Sequence, residues 1–261
     1  MFTAKLGHRH TTFGLAQDRK DLGFAISGHL HSKSPRSSCR ENSTSAAPYF
    51  RGGLPSGSID ADELLFQRQS YATAITDPAV VSAIENTLYG SIAVTYVEWA
   101  SNQATVVDWT IIADMDSATA FADALISPPR QARGSNAIGA ALLYGMAQIE
   151  GNDIRGLRRV IDFSGDTMAN TSGPPILASR DAVVANGITI NALPILRNGD
   201  FRSSGLVAQY EQNIIGGPNA FVMPAIDGPE FTDAVRRKLI LEIAGTTPDT
   251  PTATALLQPI P

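Results

Sequence analysis

From position 56 to about 245, short apolar blocks without helical period alternate with longer stretches whose apolar residues recur on one face. The sharpest block is 157–166. There Val160, Ile161 and Phe163 predict a buried strand of a parallel sheet that ends in a carboxylate and a turn. Asp166 falls just beyond that strand's carboxyl end, where open α/β sheets place their ligands. Upstream, Ser58 followed by Asp60, Asp62 and Glu63 predicts a capped helix with acids in its first turn, which the helix dipole favours. Leu64, Leu65, Tyr71, Ala72 and Ile75 form its apolar face, and Asp77-Pro78 restarts a second helix that runs through Ile84. Residues 91–99, with Ile92, Val94, Tyr96 and Val97, predict a strand. A turn at Asn102-Gln103 leads into another at 105–112, and so short a link favours an antiparallel hairpin. Helices follow at 116–126, stopped by Pro128-Pro129, and at 134–149. Beyond the block at 157–166 come a polar loop at 171–175, a helix at 176–186 closed by Gly187 and a strand at 188–196. A helix at 206–215 ended by Gly216-Gly217-Pro218, a strand at 220–226 and a helix at 229–244 complete the series. The alternation predicts a doubly wound α/β fold with a mainly parallel sheet and helices on both faces.

The ends differ in texture. Residues 1–55 are polar and rich in Ser and Gly, and they read as an atypical leader, disordered or out of frame. Residues 246–261 form a tail rich in Pro and Thr. A doubly wound sheet needs a central first strand before the helix at Ser58, yet residues 46–55 contain two prolines and two glycines and encode such a strand poorly. Charge is divided in the same way. The chain carries a net −5, but residues 1–51 hold eight of its 20 Lys and Arg and only three of its 25 acids, which leaves the body near −10. An acidic body argues against nucleic-acid binding.

All four histidines, His8, His10, His29 and His31, lie in the first segment. The body therefore lacks the commonest general base and the commonest transition-metal ligand. The single Cys39 excludes an intrachain disulfide and a cysteine metal cluster. No stretch is long and apolar enough to span a bilayer, and the first ten residues lack the apolar core of an export signal.

Five stretches carry a resemblance: Ser-Gly-Ser-Ile-Asp at 56–60, Ile-Ala-Val-Thr-Tyr-Val-Glu-Trp at 92–99, Arg-Val-Ile-Asp-Phe-Ser-Gly-Asp at 159–166, Gly-Ile-Thr-Ile-Asn-Ala-Leu-Pro-Ile at 187–195 and Ile-Ile-Gly-Gly-Pro-Asn-Ala-Phe-Val at 214–222. Through them the body, residues 56–245, resembles the von Willebrand factor A-like bacterial family called domain of unknown function 1194. The resemblance implies a metal-ion-dependent adhesion site, in which hard oxygen donors hold Mg²⁺ and leave one position open for a partner's carboxylate. Residue by residue, it carries over to Ser56, Ser58 and Asp166. The position of a second-loop threonine is Asn136, with Ser135 beside it as another oxygen donor. The first-loop aspartate position is Leu54, which cannot ligate a metal and weakens the site. If the codons of residues 51–54 allow it, reading the gene one base later spells Ala-Val-Asp-Phe, and the hypothesis that follows is an out-of-frame leader in place of the strand and its aspartate. Family members typically begin with an export signal, which implies a periplasmic or secreted setting; the chain as written implies the cytoplasm.

The functional expectation is a protein-binding module with a degenerate Mg²⁺ site at Ser56, Ser58, Asn136 and Asp166. The alternative is a metal-free interaction scaffold of the same fold. A serine hydrolase is the competing class, but neither serine lies in a Gly-x-Ser-x-Gly elbow and no histidine follows residue 31. Within the predicted strands, Asp162 reads as a buried hydrogen-bonding group, while Glu98 and Trp99 could line the cleft, although a Trp at such a position is more often simple packing.

Overall fold

In the computed structural model, which describes residues 22–29, 61–197, 203, 205–226, 228 and 230–248, the sheet is built from six strands. These are β1 (Leu22–His29), β2 (Ile92–Trp99), β3 (Gln103–Ile112), β4 (Arg158–Gly165), β5 (Thr189–Leu196) and β6 (Ala225–Ile226). They lie in the order β3-β2-β1-β4-β5-β6. All neighbours pair in parallel except β2 and β3, which form the expected antiparallel hairpin with register shifts around Tyr96.

The central position of the sheet is taken by a strand from within residues 1–55. β1 pairs with β2 on one side, Phe24 opposite Val94, and with β4 on the other, Phe24 opposite Val160. Without a strand there, the inner edges of β2 and β4 would carry unpaired backbone groups, which is costly in a sheet interior. Leu22, Phe24, Ala25 and Ile26 supply apolar positions, but Gly23 and Gly28 dilute the signal below what a scan of the sequence registers. The other candidate stretch, residues 46–55, and the two serines at 56 and 58 lie outside the described residues.

Helices cover both faces. On one lie α1 (Ala61–Ile75), α2 (Pro78–Glu85), α3 (Met115–Ile126) and α7 (Glu230–Ala244), around a core of Tyr71, Tyr96, Phe121, Phe231 and Leu239. On the other lie α4 (Ile138–Glu150), α5 (Ile176–Ala185) and α6 (Leu206–Asn213), packed on Trp99, Ile161, Phe163 and Tyr210. The period of two along β4 sends Val160 to the first core and Ile161 and Phe163 to the second. Asp162 then shares a face with Val160, toward α7, where Lys238 Nζ meets it at 2.5 Å.

Two boundaries differ from expectation. Helix α4 begins at Ile138 rather than residue 134, because Gly134 has φ +108° and cannot begin a right-handed helix. β6 is two residues long instead of seven. Residues 216–222 run beside β5 through isolated bridges, Ile190 to Gly216 and Ala192 to Val222, and Pro218 and Pro224 lack the N–H groups a continuous ladder needs.

Candidate functional site

The parallel strands end together, and the loops that leave them meet. Asp166 directly follows β4, Arg197 directly follows β5, and Glu63 sits in the first turn of α1. The Arg197 guanidinium joins the other two: Nη2 donates to Asp166 Oδ2 at 3.1 Å and, more closely, to Glu63 Oε1. The three side chains are 20%, 7% and 15% exposed for Arg197, Asp166 and Glu63, so the cluster is mostly sheltered and reaches solvent only in part. Ser203 fixes the turn that carries the arginine, since its Oγ accepts from Arg197 N at 2.9 Å. Tyr210 anchors the loop after β4 by donating to Thr167 O at 3.1 Å. Burial, and then the nearby Asp166 charge, push the Tyr210 hydroxyl well above its ordinary range, so it remains a donor.

Asn136 is buried beside the same loop. Its carbonyl oxygen collects the N–H groups of Thr171 and Ser172 at 2.9 and 3.1 Å, together with both hydroxyls. Gly139 lets α4 approach: a methyl there would lie 2.2 Å from Pro174 O. On its other side, the loop before α4 is tied to the β2–β3 turn, where Ser101 Oγ accepts from Ser135 N and Asn102 Oδ1 accepts from Arg133 N, both at 2.8 Å. The structure thus brings Asn136 against the loop that begins at Asp166. Ser56 and Ser58 lie outside the described residues.

Glu98, expected as a possible cleft residue, is instead fully buried in structural bonds. Oε1 accepts from Arg68 Nε at 2.9 Å, and Oε2 accepts from Gln131 N at 2.8 Å and Ala132 N at 3.3 Å. Trp99 packs on Phe163 with ring centroids 5.0 Å apart and is likewise core. Sequence reasoning missed Arg197 and Glu63 as site residues. The only available signal was that each falls at a strand end or helix start on the edge that carries Asp166.

Among the described residues there is no group of three or more His, Cys, Asp or Glu side chains suited to a metal. Asp166, the one charged member of the expected ligand set, already faces a guanidinium, and a dication brought to it would meet that positive charge at contact distance. A pocket of about 200 Å³ lies at the opposite end of the sheet, lined by Arg158, Thr189, Asn191 and Glu242. It is remote from the strand ends that gather Asp166 and Arg197.

The family model described as "Protein of unknown function (DUF1194)" matches residues 55–247. Among curated proteins none matches the chain. Among solved structures, it is similar to proximal thread matrix protein 1 from the mussel byssus with a zinc-occupied MIDAS motif, at 14% identity and TM-score 0.53, over 87% of this chain and 47% of that one. It is similar to the pilus adhesin SpaC from Lactobacillus rhamnosus GG at 13% identity and TM-score 0.51, over 88% and 30%. It is similar to the manganese-loaded TRAP protein of Plasmodium vivax at 11% identity and TM-score 0.50, over 87% and 74%. Likeness at these identities shows the fold, and the chain spans less than half the length of the mussel and Lactobacillus proteins. The family match begins at residue 55, so β1 lies outside it.

Proposed function

The chain belongs to the DUF1194 family and has its von Willebrand factor A-like fold, and from that premise we propose that it is a protein-interaction module whose partner docks over the carboxyl ends of β4 and β5. The observation that carries this reading is the part-exposed cluster of Arg197, Asp166 and Glu63 at that edge, where open α/β sheets receive ligands. Its charges are held by two strand ends and a helix start, a rigid frame for recognition. The fold is shared with a pilus adhesin, which lends support to protein binding over catalysis.

The metal-dependent form of this reading places Mg²⁺ on Ser56, Ser58, Asn136 and Asp166 and requires Asp166 to leave Arg197. The ion pair supports the metal-free form instead. A hydrolase finds less support, because Asp166 is engaged by Arg197 and every histidine precedes residue 32.

Photo-cross-linking tests the docking site. A photoreactive amino acid replaces the exposed Ala169, in the loop after β4, and in a second protein replaces the exposed Asp153, before β4. In an extract of the source organism, a discrete adduct is expected from position 169, competed by unlabelled protein, and none from 153. Adducts confined to 153, or none at 169 above background, would overturn the assignment.

A further inference from the structure

We infer that Arg197 is the resident cation of this site: its guanidinium holds the Asp166 and Glu63 carboxylates where a metal site would hold an ion, and keeps divalent cations out. Three observations converge on it. One Nη2 atom serves both carboxylates, with Asp166 Oδ2 at 3.1 Å and Glu63 Oε1 closer, so the arginine lies between them as a bridging ion would. The backbone that carries the arginine is pinned, because Ser203 Oγ accepts from Arg197 N at 2.9 Å directly after β5. Asp166 and Glu63 are only 7% and 15% exposed, so their charges are sheltered enough to require a neutralising cation beside them.

The chemistry separates the two kinds of cation. Mg²⁺ and Mn²⁺ demand several oxygen donors at short range around a point charge, whereas a guanidinium neutralises carboxylates through directed N–H bonds and needs no coordination shell. With Leu54 at the first-loop aspartate position, an ion would have to displace a tethered cation using a depleted ligand set. A tethered arginine is always at the site, while an ion must be drawn from solution.

The test needs no partner, so it fails or succeeds independently of the docking assignment. Calorimetric titration with Mn²⁺ and Mg²⁺, together with thermal unfolding with and without EDTA, is run on the full chain and on Arg197→Ala, Arg197→Lys and Arg197→Ala/Asp166→Asn. The parent and Arg197→Lys are expected to ignore the ions and the chelator. Arg197→Ala is expected to bind Mn²⁺ at least about tenfold more tightly than the parent, with a raised unfolding midpoint, and Asp166→Asn should abolish that gain. Should Arg197→Ala not fold, Arg197→Gln carries the same expectation with less lost volume. A parent that binds Mn²⁺ as tightly as the variant overturns the inference, and so does a cooperatively folding variant that gains nothing.

Discussion

Glu98 shows how a buried charge is tolerated at the end of a central strand. Both of its oxygens are occupied, one by Arg68 and the other by two successive backbone N–H groups at Gln131 and Ala132. Arg68 in turn donates to the carbonyls of Pro128 and Pro129, so one ion pair latches the loop after α3 onto α1 and β2. Desolvation makes such a pair a weak source of net stability, but removal of one partner strands the other charge. Arg68→Met is therefore expected to cost about 3–5 kcal/mol in denaturant unfolding and to accelerate amide exchange at Gln131 and Ala132. A loss under about 1 kcal/mol, the range of exposed pairs, would show that Glu98 finds another partner.

At the scale of the element, α7 is the helix that carries charge into the core. Its face toward the sheet holds Phe231, Val235, Leu239 and Ile243, yet Lys238 and Glu242 lie on the same buried side. Lys238 bridges Asp162 of β4 and Glu242 of its own helix, and Asn191 Nδ2 donates to Glu242 Oε1 at 2.8 Å. One ammonium thus serves two carboxylates. Burial, and then the Asp162 charge, push Glu242 up from 4.5 to about 7. The folded protein consequently keeps a proton on Glu242 that the unfolded chain has released between pH 4.5 and 7. Stability contributed by this group is present at acid pH, falls as pH rises through that window and levels off above about 7. Glu242→Gln is expected to flatten the decline, measured as the unfolding midpoint from acid to neutral pH. An unchanged slope in that variant would place the titration elsewhere.

For the whole molecule, β1 decides whether the two halves of the sheet are one body. It is the strand through which β2 and β3 connect to β4 and β5. Neighbouring strands lie about 4.8 Å apart, so its loss leaves a gap of roughly 10 Å that β2 and β4 cannot close without moving their helices. A chain lacking residues 1–30 is expected to lose cooperative thermal unfolding and to expose its core to a hydrophobic dye. Cooperative unfolding at the parent's midpoint would mean that another segment fills the centre. The strand that this truncation removes lies outside the family match, which begins at residue 55.

Much of the architecture was legible before any coordinates, because it follows from local pattern. Period-two and unbroken apolar blocks mark β2, β3, β4 and β5, a short turn makes β2 and β3 antiparallel, and Asp166 falls at a strand's carboxyl end. These depend on neighbours along the chain. The tertiary structure alone decided what crosses the sheet: that residues 22–29 occupy its centre, that Lys238 is buried against Asp162, and that Arg197 meets Asp166 and Glu63. Glu63 lies 134 residues from Arg197 and Asp166 lies 31 residues from it. No spacing rule links such positions, because strand order sets which loops meet, and it is long-range backbone pairing and burial that set strand order.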